Sequence, residues 1–410
     1  MSNYFKTYLS MKKLYILAIA IAVTTFSCKK NKEDEPAPSG SEQAKVVENY
    51  ANIVYATYDD ALITAKNLRA KAADFVASPS EAGLEEVRAA YIASRTPYIQ
   101  SEAFRFYSGP IDQDLGGGLT IESSINSWPL EEVYIDYVVG DANAGIINDV
   151  AHFPTIDKNV ILENNQKEGA GENSVSSGYH AVEFLLWGQD LSETGPGDRK
   201  YTDYLVNSDD ATNLNQARRG QYLLACIDLI IDNLQTLKEA WKSGNASNYR
   251  AGFIADPKGS IGNFLKGVIG YADDELSVER MQVALDTEGD AERQEQEQSC
   301  FSDQTYNDII LGQKGIKNVY VGEYVRIDGT IVSGMSVSDL VKAADPKLDS
   351  TVRAKIYDTD IKVAAIHAPF DNEILTANTA GTIRVQNAIN ALHVEAAQYK
   401  NAANKIGYLY

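Results

Sequence analysis

Residues 46–75 read VVENYANIVYATYDDALITAKNLRAKAADF, and apolar or small side chains return there every three or four positions. Val46, Tyr50, Ile53 with Val54, Tyr58, Ala61 with Leu62, Ala65, Leu68, Ala72 and Phe75 fall on one stripe. That is the period of an amphipathic helix, and it predicts one over 42–77. Ser78-Pro79-Ser80-Glu81 then supplies a helix start, with Ser78 as N-cap, Pro79 in the first turn and Glu81 as capping-box partner. This second helix is expected to run toward Phe106, with Pro97 kinking or interrupting it. Residues 107–130, centred on Gly116-Gly117-Gly118, read as a loop, and so do 161–178 and 192–198.

Helical spacing returns at 211–243, where Leu223, Leu224, Ile227, Ile230, Ile231, Leu234 and Leu237 share one side. Further helices are expected near 257–281, 286–298, 336–344 and 378–405. Between them Tyr324–Val332 carries Asp328-Gly329 between β-branched residues, the signal of a hairpin with a two-residue turn. A chain of 410 residues exceeds the roughly 250–300 that one core serves. The expected fold is all-α, two helical-bundle-like halves packed together with a small β-hairpin, divided as 43–245 and 246–410.

The N-terminus has to be set aside before the fold is considered. Residues 1–27 read as a signal peptide, with Lys12 and Lys13 ahead of an apolar run from Leu14 to Phe26. That run is short of the about 20 residues a spanning helix needs. Ser27-Cys28 closes it as a lipobox would, so lipid is expected on Cys28, anchoring the protein in a membrane. Residues 28–42 are charged, contain proline and lack a core pattern, as a flexible tether would. The expected location is the cell envelope, at the outer membrane, facing the periplasm or the cell surface. A signal peptide with a chance cysteine is the alternative.

Removing 1–27 removes Lys6, Lys12 and Lys13 and no acids, which takes the formal charge from −20 to −23. Such a chain repels nucleic acid and anionic lipid and can attract cations, with solubility alone as the alternative reading of its charge. Cys226 and Cys300 are the other cysteines, too few for a disulfide framework. No phosphate-binding glycine loop and no G-x-S-x-G elbow occurs.

The sharpest chemistry is Gly178-Tyr179-His180-Ala181-Val182-Glu183, followed by Phe184-Leu185-Leu186-Trp187. At a spacing of three, His180 and Glu183 share a helix face, where imidazole and carboxylate can chelate one metal. Gly178 allows a sharp turn, or a close approach of the backbone to a ligand, at the helix start. On an ordinary helix, a hydrogen-bonded pair is the commoner outcome. His152, His367 and His393 read as surface or packed histidines.

The stretch 178–190 is very similar to the signature of imelysin-like proteins. Ser101–Phe106, Gly109–Asp112, Asn126–Leu130, Arg199–Tyr204, Arg218–Leu223, Glu275–Met281 and Ser299–Asp303 resemble further blocks of that family, in order, over roughly 43–408. Gln304-Thr305-Tyr306 departs from the family's Asn-Thr-His, so no ligand role transfers there. The resemblance implies two helical halves with a site between them, and two labels: metallopeptidase, and component of bacterial iron uptake.

The residues weigh these labels. H-E-x-x-H is absent, and with Glu183 a ligand it is not a free general base. Glu102 and Asp112 are the expected partners completing a metal shell with His180 and Glu183; salt bridging of Glu102 to Arg105 and a loop turn at Asp112 are the plain alternatives. Glu279 with Arg280 orients the site or forms a bundle ion pair, Trp128 packs, and Asp303 supports. One imidazole among carboxylates suits iron first and zinc second. The expected function is a metal-binding lipoprotein in iron uptake or handling, with other iron-uptake components as partners. A metallopeptidase using Glu102, His180 and Glu183 is the first alternative, and a peptide- or ligand-binding module the second.

Overall fold

In the computed structural model, which describes residues 38–114, 119–167, 171, 173–192 and 194–410, the first helix is Gly40–Ala77. Ser39 starts it by accepting from the Glu42 N–H, while the Glu42 carboxylate takes the Ser39 N–H, a reciprocal cap. The stripe from Val46 to Phe75 is buried along its whole length. Residues 1–37, which hold the stretch expected to be a signal peptide and most of the expected tether with Cys28, and Gly116-Gly117-Gly118 lie outside the described residues.

The second helix is Glu81–Gln100, and its N-cap is Ser80, whose hydroxyl accepts from Gly83. The sequence pointed to Ser78. That residue instead ends the first helix, its N–H bonding the Asp74 and Phe75 carbonyls. The helix continues through Pro97 and tightens into a 3-10 turn at Ser101–Phe104.

The first helix packs on Glu81–Gln100, on Gln216–Trp241 and on Pro257–Gly270. In the second half the C-terminal helix Thr379–Lys405 packs on Pro346–Val363 and on Tyr271–Gln282, a π-helical continuation of Pro257–Gly270. The helix Thr305–Val321 lies against both Glu81–Gln100 and Pro346–Val363, so it ties the two sets together. The fold is therefore all-α, two helical sets packed side by side. Among the described residues the only named strands are Glu323–Val325 and Ile331–Ser333, antiparallel with Tyr324 opposite Val332.

Several expectations shift. The hairpin turn spans Arg326–Thr330, closed by Arg326 N–H to Thr330 O at 2.9 Å, and is longer than two residues. Arg326 is diverted to Asp59 and Asp60 on the first helix, which docks the hairpin there. The loops at 107–130 and 161–178 contain short helices at Ile121–Ile125 and Lys158–Asn164. Near 286–298 only Asp290–Gln294 is α-helical beyond the turn ending at Asp286. Thr305–Val321 was not foreseen. A Cβ on Gly315 would lie 2.3 Å from the Gln100 carbonyl oxygen, so this glycine is where two helices touch.

Candidate functional site

Gly178–Trp187 is a helix buried at every residue. Gly178 opens it at φ +89°, and a Cβ there would stand 2.5 Å from the Ile125 carbonyl oxygen. Only glycine meets both demands, and the close approach at this position is to protein backbone where a ligand was expected. One turn on, His180 Nδ1 and Glu183 Oε2 lie 2.9 Å apart, both side chains 0% exposed. Glu183 Oε1 accepts from the Ser302 N–H at 3.0 Å and from its hydroxyl at 2.5 Å. His180 Nε2 has no hydrogen-bond partner. The Trp128 ring packs on the imidazole with centroids 5.0 Å apart.

Burial, and then the Arg95 guanidinium, hold His180 well below the ordinary imidazole value, so the ring is neutral. Burial pushes Glu183 up to about 7, opposed by Arg95 and by the Ser302 hydrogen bonds. With Glu183 ionised, Nδ1 carries the hydrogen and Nε2 presents its lone pair. In that state the contact is a neutral N–H on a carboxylate. Arg95 itself is neutralised by Asp308 at 2.6 Å and bonds Asn126 at 3.1 Å.

Glu102 and Asp112 are gathered elsewhere, around Arg105. Its guanidinium reaches Glu102 at 2.7 Å, Glu122 at 3.1 Å and Asp112 at 3.3 Å. Glu275 is 3.9 Å from Arg105 and 2.5 Å from Arg280, so Arg280 pairs with Glu275 in place of the expected Glu279, which is exposed. Asp112 also caps the Phe106 N–H at 2.7 Å. Glu102 Oε1 is without a partner. Burial raises Glu122 to about 7 against the pull of Arg105. Glu122, Trp128, Glu275, Glu279 and Arg280 line an open depression of about 400 Å³. The π-helical turn brings Glu275 and Arg280 to it. Trp128, which touches His180, is the link between the two groups.

Asp303 belongs to a third place. It follows Ser302 in the turn that holds Glu183, and it stands with Asp190 and Asp371. His152 pairs with Asp149 and His393 with Asp273, while His367 lies 3.6 Å from Glu373; none joins a site. Cys226 and Cys300 are both buried and unbridged. Arg95, Asp308, Glu122, Asp371 and Glu297 went unread in the sequence, being single charged residues without local pattern. Asp190 and Ser302 were legible as the end of the 178–190 stretch and part of the Ser299–Asp303 block.

The fold matches known structures along nearly its whole length. A crystal structure of an iron-regulated protein A precursor from Parabacteroides distasonis ATCC 8503 superposes with a TM-score of 0.68 at 21% identity, covering 90% of this chain and 96% of that one. An imelysin-like protein from Psychrobacter arcticum 273-4 superposes with a TM-score of 0.62 at 12% identity, covering 91% and 98%. At these identities the likeness establishes the fold. No curated protein sequence matches. The sequence model of the imelysin family (Peptidase_M75) matches residues 54–399, which takes in the motif helix, the Arg105 group and the Ser302 turn. This chain belongs to the imelysin family.

Proposed function

We propose that this protein is a lipid-anchored, metal-binding member of its family that serves iron uptake or handling in the cell envelope, with His180 as its nitrogen ligand. The observation that carries the reading is the buried, partnerless Nε2 of His180, whose opposite nitrogen is fixed by Glu183. A metal-ligating histidine commonly gives its other N–H to a carboxylate, which sets the tautomer and the ring's orientation. Glu183, held in turn by Ser302, fits that orienting part better than the ligand part its spacing suggested. A neutral imidazole nitrogen is a donor that iron and zinc both take. A resemblance to a structure described as iron-regulated supports the iron assignment. The peptidase alternative asks a substrate carbonyl to reach a pair that is 0% exposed.

The test is Fe²⁺ and Zn²⁺ titration calorimetry on protein purified without chelator or affinity metal, with Ca²⁺ in excess to fill oxygen-only sites. His180→Ala is expected to lose the binding heat. Glu183→Gln is expected to weaken it by roughly 10–100-fold. Neither should lower the metal-free melting temperature by more than a few degrees. Unchanged metal affinity in His180→Ala, with a lowered melting point, makes the pair structural and sinks the reading. For the anchor, Cys28→Ser should move the protein out of the membrane fraction and end labelling by a fatty-acid analogue. Persistent labelling defeats it.

A further inference from the structure

Asp190, Asp303 and Asp371 each offer a carboxylate oxygen within 4.8 Å of the other two, the closest such gathering of acids, histidines or cysteines among the described residues. They arrive from three separate places: the segment leaving the motif helix, the turn that carries Ser302, and the short helix Phe370–Ile374. Glu297 stands beside Asp371, and both are 0% exposed.

Like charges so placed repel, and the means of relieving them are few. Among the described residues none of the four is in an ion pair. The nearby guanidiniums are spent elsewhere, Arg293 on the carbonyls of Leu285, Thr287 and Ile374, Arg384 on Glu373, and Arg199 on Asp136 and Asp203. Asp371 accepts from Gln294 at 3.0 Å and Asp190 from the Ser192 N–H at 2.9 Å. Glu297 faces another acid, Asp371, and Thr305, with no cationic group to neutralise it, and Oδ1 of Asp303 and of Asp371 has no hydrogen-bond partner. A buried carboxylate without a donor is costly, and such groups are paired, protonated or bound to metal. Burial, followed by the neighbouring acids, pushes Asp303 up to about 8, and burial takes Asp190 to about 7. Solvent reaches the group from the Asp190 side, where that residue lines an open depression of about 390 Å³ beside Trp187.

We propose that Asp190, Asp303 and Asp371, with Glu297 beside Asp371, form a second cation site, separate from His180, that takes a hard divalent ion of the calcium class through oxygen donors alone. Ca²⁺ binds oxygens at about 2.3–2.6 Å, so two donors on opposite sides of the ion stand roughly 4.6–5.2 Å apart, a span that accommodates the separation found here. The donor set holds no nitrogen or sulfur, which favours a hard ion over iron or zinc. Asp303 is bonded to Ser302, so an ion here also fixes the turn that hydrogen-bonds Glu183.

The experiment uses the full mature chain carrying His180→Ala, so that failure of the histidine reading does not touch it. The probe is Tb³⁺, a luminescent stand-in for Ca²⁺, excited through tryptophan. One saturable equivalent is expected, displaced by Ca²⁺. Asp303→Asn and Asp371→Asn, each added to that background, should weaken it roughly tenfold or more by removing ligand charge. Asparagine is the chosen replacement at 303 because it tolerates the φ of +57° found there. Calorimetric melting of the unsubstituted protein gives a second reading, with a rise in melting temperature expected on adding Ca²⁺. No saturable Tb³⁺ binding, titrations unaltered by both asparagine variants, or a melting point indifferent to Ca²⁺ would each overturn the proposal.

Discussion

The carboxylates of Glu102, Asp112, Glu122 and Glu275 surround the guanidiniums of Arg105 and Arg280, whereas those of Asp190, Asp303, Asp371 and Glu297 surround none. The motif helix connects the two groups. Its start is pressed on Ile125, at the end of the helix that carries Glu122, and its end leads into Asp190. Both groups collect acid in poorly solvated surroundings, yet the first brings its own fixed positive charge. A fixed guanidinium makes a cation redundant, because it already supplies the Coulomb attraction and donates several hydrogen bonds. The second group leaves that role to protons or to an ion from solvent. Counting acids would rank the two alike. What separates them is the charge that reaches them from distant parts of the chain.

The largest expected effect comes from erasing that difference. Arg105→Ala leaves Glu102, Asp112 and Glu122 without their counter-ion and should cost about 3–5 kcal/mol in urea unfolding, the usual penalty for breaking a buried pair. It should also give the Arg105 group a new affinity for Tb³⁺. A stable variant that binds no additional cation would mean that the arginine is not what keeps cations out.

A smaller loss is expected where the two groups are joined. Gly178→Ala forces a side chain into φ +89° and against the Ile125 carbonyl, for a cost of about 1–3 kcal/mol from backbone strain together with the clash. Because the helix start would shift, His180 should lose metal affinity while the Asp303 group, beyond the other end, keeps its own. Equal losses at both would show that the helix transmits the disturbance.

The smallest effect is a slope. Glu395 is a buried acid outside both groups, raised to about 7 by burial, against hydrogen bonds from Thr359, Tyr399 and Gln313, and with Asp360 facing it. Its folded value lies above the ordinary 4.5, so its contribution to stability is full below 4.5 and is lost as pH rises through 7. Glu395→Gln should therefore flatten the fall in melting temperature between about pH 4.5 and 7. If the Asp303 group merely holds protons, it will show this same slope and Ca²⁺ will not change it. An unaltered slope in Glu395→Gln would instead assign the pH dependence to other acids.

The helices that could be read from the chain are those whose burial is periodic. Val46 to Phe75 declares its buried face because every third or fourth residue meets the same neighbours. Thr305–Val321 is harder to read because its buried Ile309, Leu311, Ile316, Val319 and Tyr320 are interleaved with buried polar residues and with Gly312 and Gly315, and Gly315 is where it touches the Gln100 carbonyl. The cap of the second helix moved from Ser78 to Ser80 because both serines are competent, and the end of the preceding helix claimed the first.

The same division runs through the candidate site. By itself the sequence determined the all-helical class, the helix beginning at Gly178, and the one-turn spacing of His180 and Glu183, since these depend on neighbours within a few residues. Tertiary structure alone decided that Glu183 faces Ser302, that Glu122 and Glu275 join the local Glu102–Arg105 pair, and that Asp371 joins Asp190 and Asp303. Those partners are separated by up to 181 positions, from Asp190 to Asp371. A charge's worth depends on distance, burial and counter-ion, and none of these is fixed until the chain has folded.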